Sequence, residues 1–331
     1  VTILVSLSFS GCKGNPVSGG GSGGTAGPSS SGVISNSPGS SNGSGGSGAS
    51  GASGASGASG ASGAVVDPLI TATSGPIKRV TVGQSHSCAL YNAGGVKCWG
   101  ANDLAQLGDG TATDQPVPVR SRIGNDRVLD IDTYNNTTCA VVVVDGLLTS
   151  STQVLPDKIR VRCWGGEDFL QRGWGSTSGP YVVANDPSGT TFLTGALQVS
   201  VGSTHTCALT IDKKVYCWGY NAYGAVGANT NVQYSYATPV VTAQSGTSKT
   251  YLTGTVALGV GSFHSCALVD PNSDGSLTDS ILYCWGNNAL GQIGNPLNLG
   301  GTVQLATPVV DQYLQKMIGF VGLPRRLGLK H

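Results

Sequence analysis

Eight of the nine cysteines fall into four pairs with the same surroundings: Cys88 and Cys98, Cys139 and Cys163, Cys207 and Cys217, Cys266 and Cys284. In the first and third pairs the partners stand ten residues apart. Folding either segment about its turn sets Cys opposite Cys, Leu90 opposite Val96, and Leu209 opposite Val215. Facing β-carbons in such a hairpin lie about 4.5–5.5 Å apart, close enough for a disulfide after slight adjustment. The other two pairs enclose longer segments whose extra residues fall at the hairpin tip, so four disulfides are expected, and with them an oxidising compartment. A zinc site fits less well, because it calls for Cys-x₂₋₄-Cys spacing or several converging ligands. Reduced cysteines acting as small core residues are the remaining alternative. Of the four histidines, His86, His205 and His264 occupy one recurring position, and His331 lies in the last position. A catalytic histidine is normally unique and paired with a nucleophile, so recurrence assigns these three to hydrogen bonding within each copy. Trp99, Trp164, Trp218 and Trp285 recur likewise and read as packing residues. No nucleophile-elbow pattern accompanies the serines, and no catalytic residue is expected. The one non-repeating polar cluster, Asp270-Pro271-Asn272-Ser273-Asp274-Gly275-Ser276-Leu277-Thr278-Asp279, has the spacing of the start of a calcium loop. Its ligand candidates are Asp270, Asn272, Asp274 and Asp279. Ile281 stands where the bidentate acid belongs, so a hairpin tip built on Asp-Gly turn chemistry is the preferred reading; no cofactor is expected, Ca²⁺ being the one ion to test.

The elements that hold these residues repeat. One copy runs Val82-Gly83-Gln84-Ser85-His86-Ser87-Cys88-Ala89-Leu90, then Val96-Lys97-Cys98-Trp99-Gly100-Ala101-Asn102, then Gln106-Leu107-Gly108. It returns as Val201-Gly202-Ser203-Thr204-His205-Thr206-Cys207-Ala208-Leu209 with Val215-Tyr216-Cys217-Trp218-Gly219-Tyr220-Asn221, and as Val260-Gly261-Ser262-Phe263-His264-Ser265-Cys266-Ala267-Leu268 with Leu282-Tyr283-Cys284-Trp285-Gly286-Asn287-Asn288. A degenerate copy keeps Thr137-Thr138-Cys139-Ala140-Val141 and Val161-Arg162-Cys163-Trp164-Gly165 but has lost the histidine. Short apolar runs between turn signals, with no long amphipathic stretch, make each copy a small antiparallel sheet. The expected units cover about residues 77–126, 127–195, 196–255 and 256–310.

These strings resemble the regulator of chromosome condensation repeat, and the resemblance covers about residues 77–310. It implies an all-β fold, a β-propeller of four recognisable blades that is incomplete or part of a seven-bladed ring. Residues 311–331 keep only Val321-Gly322 of a fifth repeat and are expected to be truncated or degenerate. The guanine-nucleotide exchange known from some family members is the least expected activity, since the rest of the sequence points to a different compartment.

That pointer is the N-terminus. The apolar run Val1–Phe9 ends at Ser10-Gly11-Cys12, which resembles the lipobox of bacterial lipoproteins. By that resemblance residues 1–12 are a signal peptide with its lipidated Cys12, and Lys13 after it points to the outer membrane. Residues 13–76 form a linker rich in Gly, Ser and Ala, without a charged side chain between Lys13 and Asp67. Such composition buries no core and reads as a flexible coil, spanning about 40–45 Å for about 60 residues. A net charge of +1 with 11% charged residues supplies no footprint for nucleic acid.

The expected protein is therefore a rigid, stapled, non-catalytic head on a tether at a bacterial cell envelope, in the outer membrane or at the cell surface. Its expected partner is an extracellular or periplasmic protein or glycan, recognised through insertions such as Leu147–Lys158, Asn185–Gly195 and Gln244–Gly254. A propeller enzyme with a channel site and a structural surface spacer are the alternatives.

Overall fold

The computed structural model describes residues 73–310, apart from 124–125, 145–155, 167–168, 174–181, 185, 190 and 297–299. The leader, Cys12, most of the linker and residues 311–331 lie outside the described residues. Four four-stranded antiparallel sheets follow one another along the chain. Blade 1 comprises β1 (Ile77–Val82), β2 (His86–Tyr91), β3 (Val96–Gly100) and β4 (Gln115–Arg120). Blade 2 comprises β5 (Arg127–Tyr134), β6 (Thr137–Val143), β7 (Ile159–Gly165) and β8 (Val182–Val183). Blade 3 comprises β9 (Ala196–Val201), β10 (His205–Thr210), β11 (Val215–Gly219) and β12 (Tyr234–Pro239). A separate hairpin, β13 (Val241–Ser245) with β14 (Ser248–Tyr251), precedes blade 4, which comprises β15 (Thr255–Val260), β16 (His264–Val269), β17 (Ile281–Asn287) and β18 (Thr302–Pro308). Each sheet is a simple meander in which every strand pairs with its sequence neighbour. Among the described residues no helix is long and apolar enough to cross a membrane.

The repeated register follows from the repeated sequence. Cys88 pairs with Cys98, Cys139 with Cys163, Cys207 with Cys217 and Cys266 with Cys284, each across the two middle strands of its blade. The four pairs are joined as disulfides. Alternation then decides what each face meets, because successive side chains point to opposite sides of a strand. In blade 2 Ala140 and Trp164 face blade 1, while Cys139, Val141 and Val161 face blade 3. Three apolar cores result, one at each junction between successive blades. A smaller cluster of Cys266, Cys284, Ile293, Val303 and Val309 lies on the far side of blade 4.

The inner strands β1, β5, β9 and β15 lie side by side in succession, and a polar network ties them. Arg79 pairs with Asp130 and reaches Asp132 at 3.8 Å. Asp132 also accepts from the Thr81 hydroxyl at 2.9 Å and the Val201 amide at 2.9 Å, and Asp130 from the Val199 amide at 3.1 Å, so two carboxylates link three blades. Burial works against the Arg79 charge, yet Asp130 and Asp132 outweigh it and raise its pKa. At the outer rim, Pro116 and Pro118 in β4 remove amide donors from an edge strand, which discourages edge-to-edge pairing.

Candidate binding surface and the joints that hold it

In blades 1, 3 and 4 the loop after the third strand begins with Asn102, Asn221 or Asn288, all fully buried. The Asn102 side-chain oxygen accepts from the Leu107 amide at 3.0 Å, Asn221 from Val226 at 2.8 Å and Asn288 from Ile293 at 3.0 Å. In blades 1, 2 and 4 a glutamine closes the turn from the other side, where blade 3 has Ala225. The Gln106 side-chain oxygen accepts from the Leu104 amide, Gln171 from Phe169 and Gln292 from Leu290, at 2.7–2.9 Å. With at least one of these two bonds in each blade, the loop projects one large apolar side chain at the same place in all four: Leu104, Phe169, Tyr223 and Leu290, exposed to 42, 39, 38 and 92%.

The turns joining the first two strands of each blade lie on this same side. The Ala101 amide donates to Ser85, Tyr220 to Thr204 and Asn287 to Phe263. Phe169, Tyr220, Tyr223 and Phe263 therefore form an arc across blades 2 to 4, with successive ring centroids 5.6, 6.5 and 5.0 Å apart. Toward the middle, the Tyr134 hydroxyl meets Ser262 at 2.5 Å and the Asn135 amide donates to Ser203 at 3.1 Å, binding blade 2 to blades 4 and 3. The hairpin tips and blade-to-blade connections, including the Asp270 loop and the β13–β14 hairpin, lie at the other ends of the strands.

The recurrent histidines and tryptophans have a role that the sequence did not disclose. They were expected to bond and pack within one blade, but they act between blades. His86 Nε2 lies 2.9 Å from the Thr138 hydroxyl of the next blade, and His205 Nε2 lies 2.7 Å from Ser265 of the next. Thr138 and Ser265 donate their single hydroxyl protons to the carbonyls of Gln106 and Ala225, at 3.0 and 3.2 Å. The histidines must therefore donate from Nε2. The same carbonyls accept from the indole N–H groups of Trp164 at 3.0 Å and Trp285 at 2.8 Å. Blade 2, which has Thr137 in place of a histidine, keeps the rest: Thr206 and Trp218 both donate to the Gln171 carbonyl, at 2.7 and 2.9 Å. Each indole lies against a glycine with positive φ. A β-carbon on Gly108, Gly173 or Gly227 would stand 2.6–2.8 Å from the indole nitrogen, so only glycine fits beneath it. Burial holds the imidazoles neutral: His86 is lowered to about 4, against a smaller upward pull from Asn135, and His205 to about 3, helped by His264.

In the Asp270 loop, carboxylate oxygens of Asp270, Asp274 and Asp279 come within 4.8 Å of one another. Both Asp270 oxygens already accept backbone amides, from Ser273 at 2.9 Å and Gly275 at 3.0 Å. Asn272 turns to Asp274 instead, donating to its carboxylate at 3.0 Å. These bonds account for the loop as a hairpin tip. Of the three sequence-predicted insertions, residues 147–155, 185 and 190 lie outside the described residues, 186–189 and 191–195 lie between blade 2 and blade 3, and Gln244–Gly254 contains β14 and the tip of its hairpin.

The Regulator of chromosome condensation (RCC1) repeat model matches residues 77–106 and 197–225, the beginnings of blades 1 and 3. Blades 1 and 3 thus match the RCC1 repeat. The human E3 ubiquitin-protein ligase HERC2 is 29% identical over 243 residues, which cover 72% of this chain and 4% of that protein. The Arabidopsis thaliana ultraviolet-B receptor UVR8 is 26% identical over 220 residues, 66% of this chain and 43% of the receptor. Human WBSCR16 shares the fold in its crystal structure, with a TM-score of 0.54 at 19% identity over 72% of this chain and 54% of that one. The chain thus spans less than half the length of these two curated relatives, and the likeness concerns RCC1 repeats and the β-propeller fold.

The apolar loop position was legible in principle. An apolar residue stands two places before Gln106, Gln171 and Gln292, and two before Ala225, but in a one-dimensional pattern it reads as core.

Proposed function

We propose that this RCC1-repeat propeller is a non-catalytic protein-binding module whose docking surface is the loop face carrying Leu104, Phe169, Tyr220, Tyr223, Phe263 and Leu290. The observation that carries the reading is the presence of one exposed apolar side chain at the same loop position in all four blades, its amide pinned by a glutamine in blades 1, 2 and 4. A row of such residues on a rigid scaffold, rich in tyrosine and phenylalanine, has the composition of a protein interface core. It departs from the expectation that the insertions at the opposite strand ends do the recognising.

The module belongs, in this reading, at a bacterial envelope, held by lipidated Cys12 on the residue 13–76 linker. Four disulfides support an oxidising compartment. The test is capture of partners on cell envelopes by the wild-type head, by a Phe169→Ser/Tyr223→Ser/Leu290→Ser variant and by a Tyr251→Ser variant. A specific partner is kept by Tyr251→Ser and lost by the triple variant. The reverse pattern assigns recognition to the hairpin side. Incorporation of a labelled fatty acid that disappears in Cys12→Ser checks the anchor separately.

A further inference from the structure

The positive charge of the head is gathered on one side. On the loop face Arg172 is the sole lysine or arginine among the described residues, and it is buried to 9% exposure. The hairpin side of blades 1 and 2 carries Lys78, Lys97, Arg120, Arg127, Lys158 and Arg160, none of which forms an ion pair with a described carboxylate. Lys97 and Arg120 stand directly opposite each other across β3 and β4, a like-charge pairing that costs the sheet stability. Burial holds the Lys78 ammonium below its usual pKa, and the neighbouring Arg127 and Arg79 add to that against the pull of Asp130.

Few acids answer these cations. Asp126 pairs with Arg162, Asp130 and Asp132 face Arg79, and Asp186 accepts from Ser188 and Thr191, which leaves Asp157 exposed among them. Residues 1–72, 145–155 and 311–331 contain no acidic side chain besides Asp67, Asp145 and Asp311, and they bring Lys13, Lys316, Arg325, Arg326 and Lys330, so the flanking sequence adds positive charge and does not neutralise the patch. Apolar side chains stand beside the cations. The Arg160 guanidinium lies 4.2 Å from the centre of the Phe192 ring, which is 44% exposed. Ile211, 46% exposed, reaches the same place: its amide donates to the Gly195 carbonyl, and the Gly195 amide donates to the carbonyls of Pro156 and Ile159, on either side of Lys158. The chain also enters the head on this side, where the Pro76 carbonyl accepts from the Asn92 amide at the tip of the first hairpin.

We propose that the hairpin side of blades 1 and 2 is a lipid-facing surface, which seats the head on an anionic phospholipid bilayer and turns the loop face away from it. The inference deepens the envelope reading above and rests on it. Cations alone suit any polyanion. Cations set among exposed apolar side chains suit a bilayer interface, which presents phosphate groups over an apolar phase, whereas nucleic acid presents no such phase. A tether that joins the head on this side holds the patch near the bilayer, where it supplies a second binding signal beside the acyl anchor.

The experiment is flotation of the full chain carrying Cys12→Ser with vesicles of phosphatidylcholine and phosphatidylglycerol in equal parts, and with vesicles of phosphatidylcholine alone, whose binding subtracts any contribution of the apolar run Val1–Phe9. The protein prefers the anionic vesicles, and the preference falls as salt rises. Lys97→Gln/Arg120→Gln/Lys158→Gln lowers the preference by about 100-fold, roughly fivefold for each cation, in a chain whose disulfides and near-ultraviolet circular dichroism match wild type. Lys316→Gln/Arg325→Gln/Arg326→Gln, the same change in net charge elsewhere in the sequence, leaves it unaltered. Ile211→Ser, which removes no charge, weakens binding several-fold at unchanged salt dependence. Equal affinity for the two kinds of vesicle overturns the proposal, as does an equal loss from the two triple variants, or binding to a double-stranded DNA fragment while the vesicles stay bare. Fatty-acid labelling at Cys12 and partner capture by the loop face read the envelope proposal separately, so a labelled chain without a vesicle preference defeats this inference alone.

Discussion

The neutral imidazoles of His86 and His205 link stability to pH. In the unfolded chain a histidine titrates near 6.5, whereas burial holds these two at about 4 and about 3. Between those values the unfolded chain takes up protons that the folded chain refuses. Their contribution is therefore complete above pH 6.5 and is lost as the pH falls toward 4, by at most about 1.4 kcal/mol per pH unit for each imidazole. Urea titrations at pH 7, 6 and 5 are expected to show the decline, and His205→Gln to flatten it; an unchanged slope contradicts the buried, neutral assignment. The tryptophans give a second contrast. Trp285→Ala removes a fully buried side chain together with its hydrogen bond and costs about 3–5 kcal/mol. Trp99→Ala, at the partly buried counterpart in blade 1, costs less than half as much, and equal losses would mean that Trp99 is as enclosed as Trp285.

At the scale of the blade, the hairpins and their disulfides were legible in the sequence, because the ten-residue spacing fixes a register and the register recurs. Cys88, Leu90, Val96 and Cys98 lie where the spacing puts them. The blade-to-blade joints were not legible. His86 bonds to Thr138, 52 residues away, and Trp164 to Gln106, 58 residues away. A repeat read one copy at a time assigns each polar residue a partner in its own copy, whereas stacking assigns it to the next. The exposed loop residues were obscured for a different reason: Leu104 and Leu107 look alike in sequence, yet in the folded loop, where Gln106 binds the Leu104 amide and Asn102 the Leu107 amide, the first is exposed and the second buried. The disulfides carry a prediction at this scale. Closing a loop restricts the unfolded chain more as the loop lengthens. Replacing Cys139 and Cys163, 24 residues apart, with alanine is expected to destabilise by about 0.8 kcal/mol more than replacing Cys207 and Cys217, 10 residues apart. Comparison of the two double variants by denaturant unfolding checks it, and a larger loss from the shorter loop would overturn it.

For the molecule as a whole, the blade joints and the Asp130–Asp132 network make a stiff platform, and the platform lines up Leu104, Phe169, Tyr223 and Leu290 on one side. Recognition by that side is the central claim, and it separates two faces of one head that share stability but not surface. Site-specific photocrosslinking on intact cells tests it most directly, with a photoreactive phenylalanine placed in turn at Phe169, Tyr223 and, on the opposite side, Tyr251. The loop-face reading predicts a discrete protein adduct from Phe169 and Tyr223 and none from Tyr251. An adduct from Tyr251 alone, or none from any position in cells where the head is folded and surface-accessible, would contradict it.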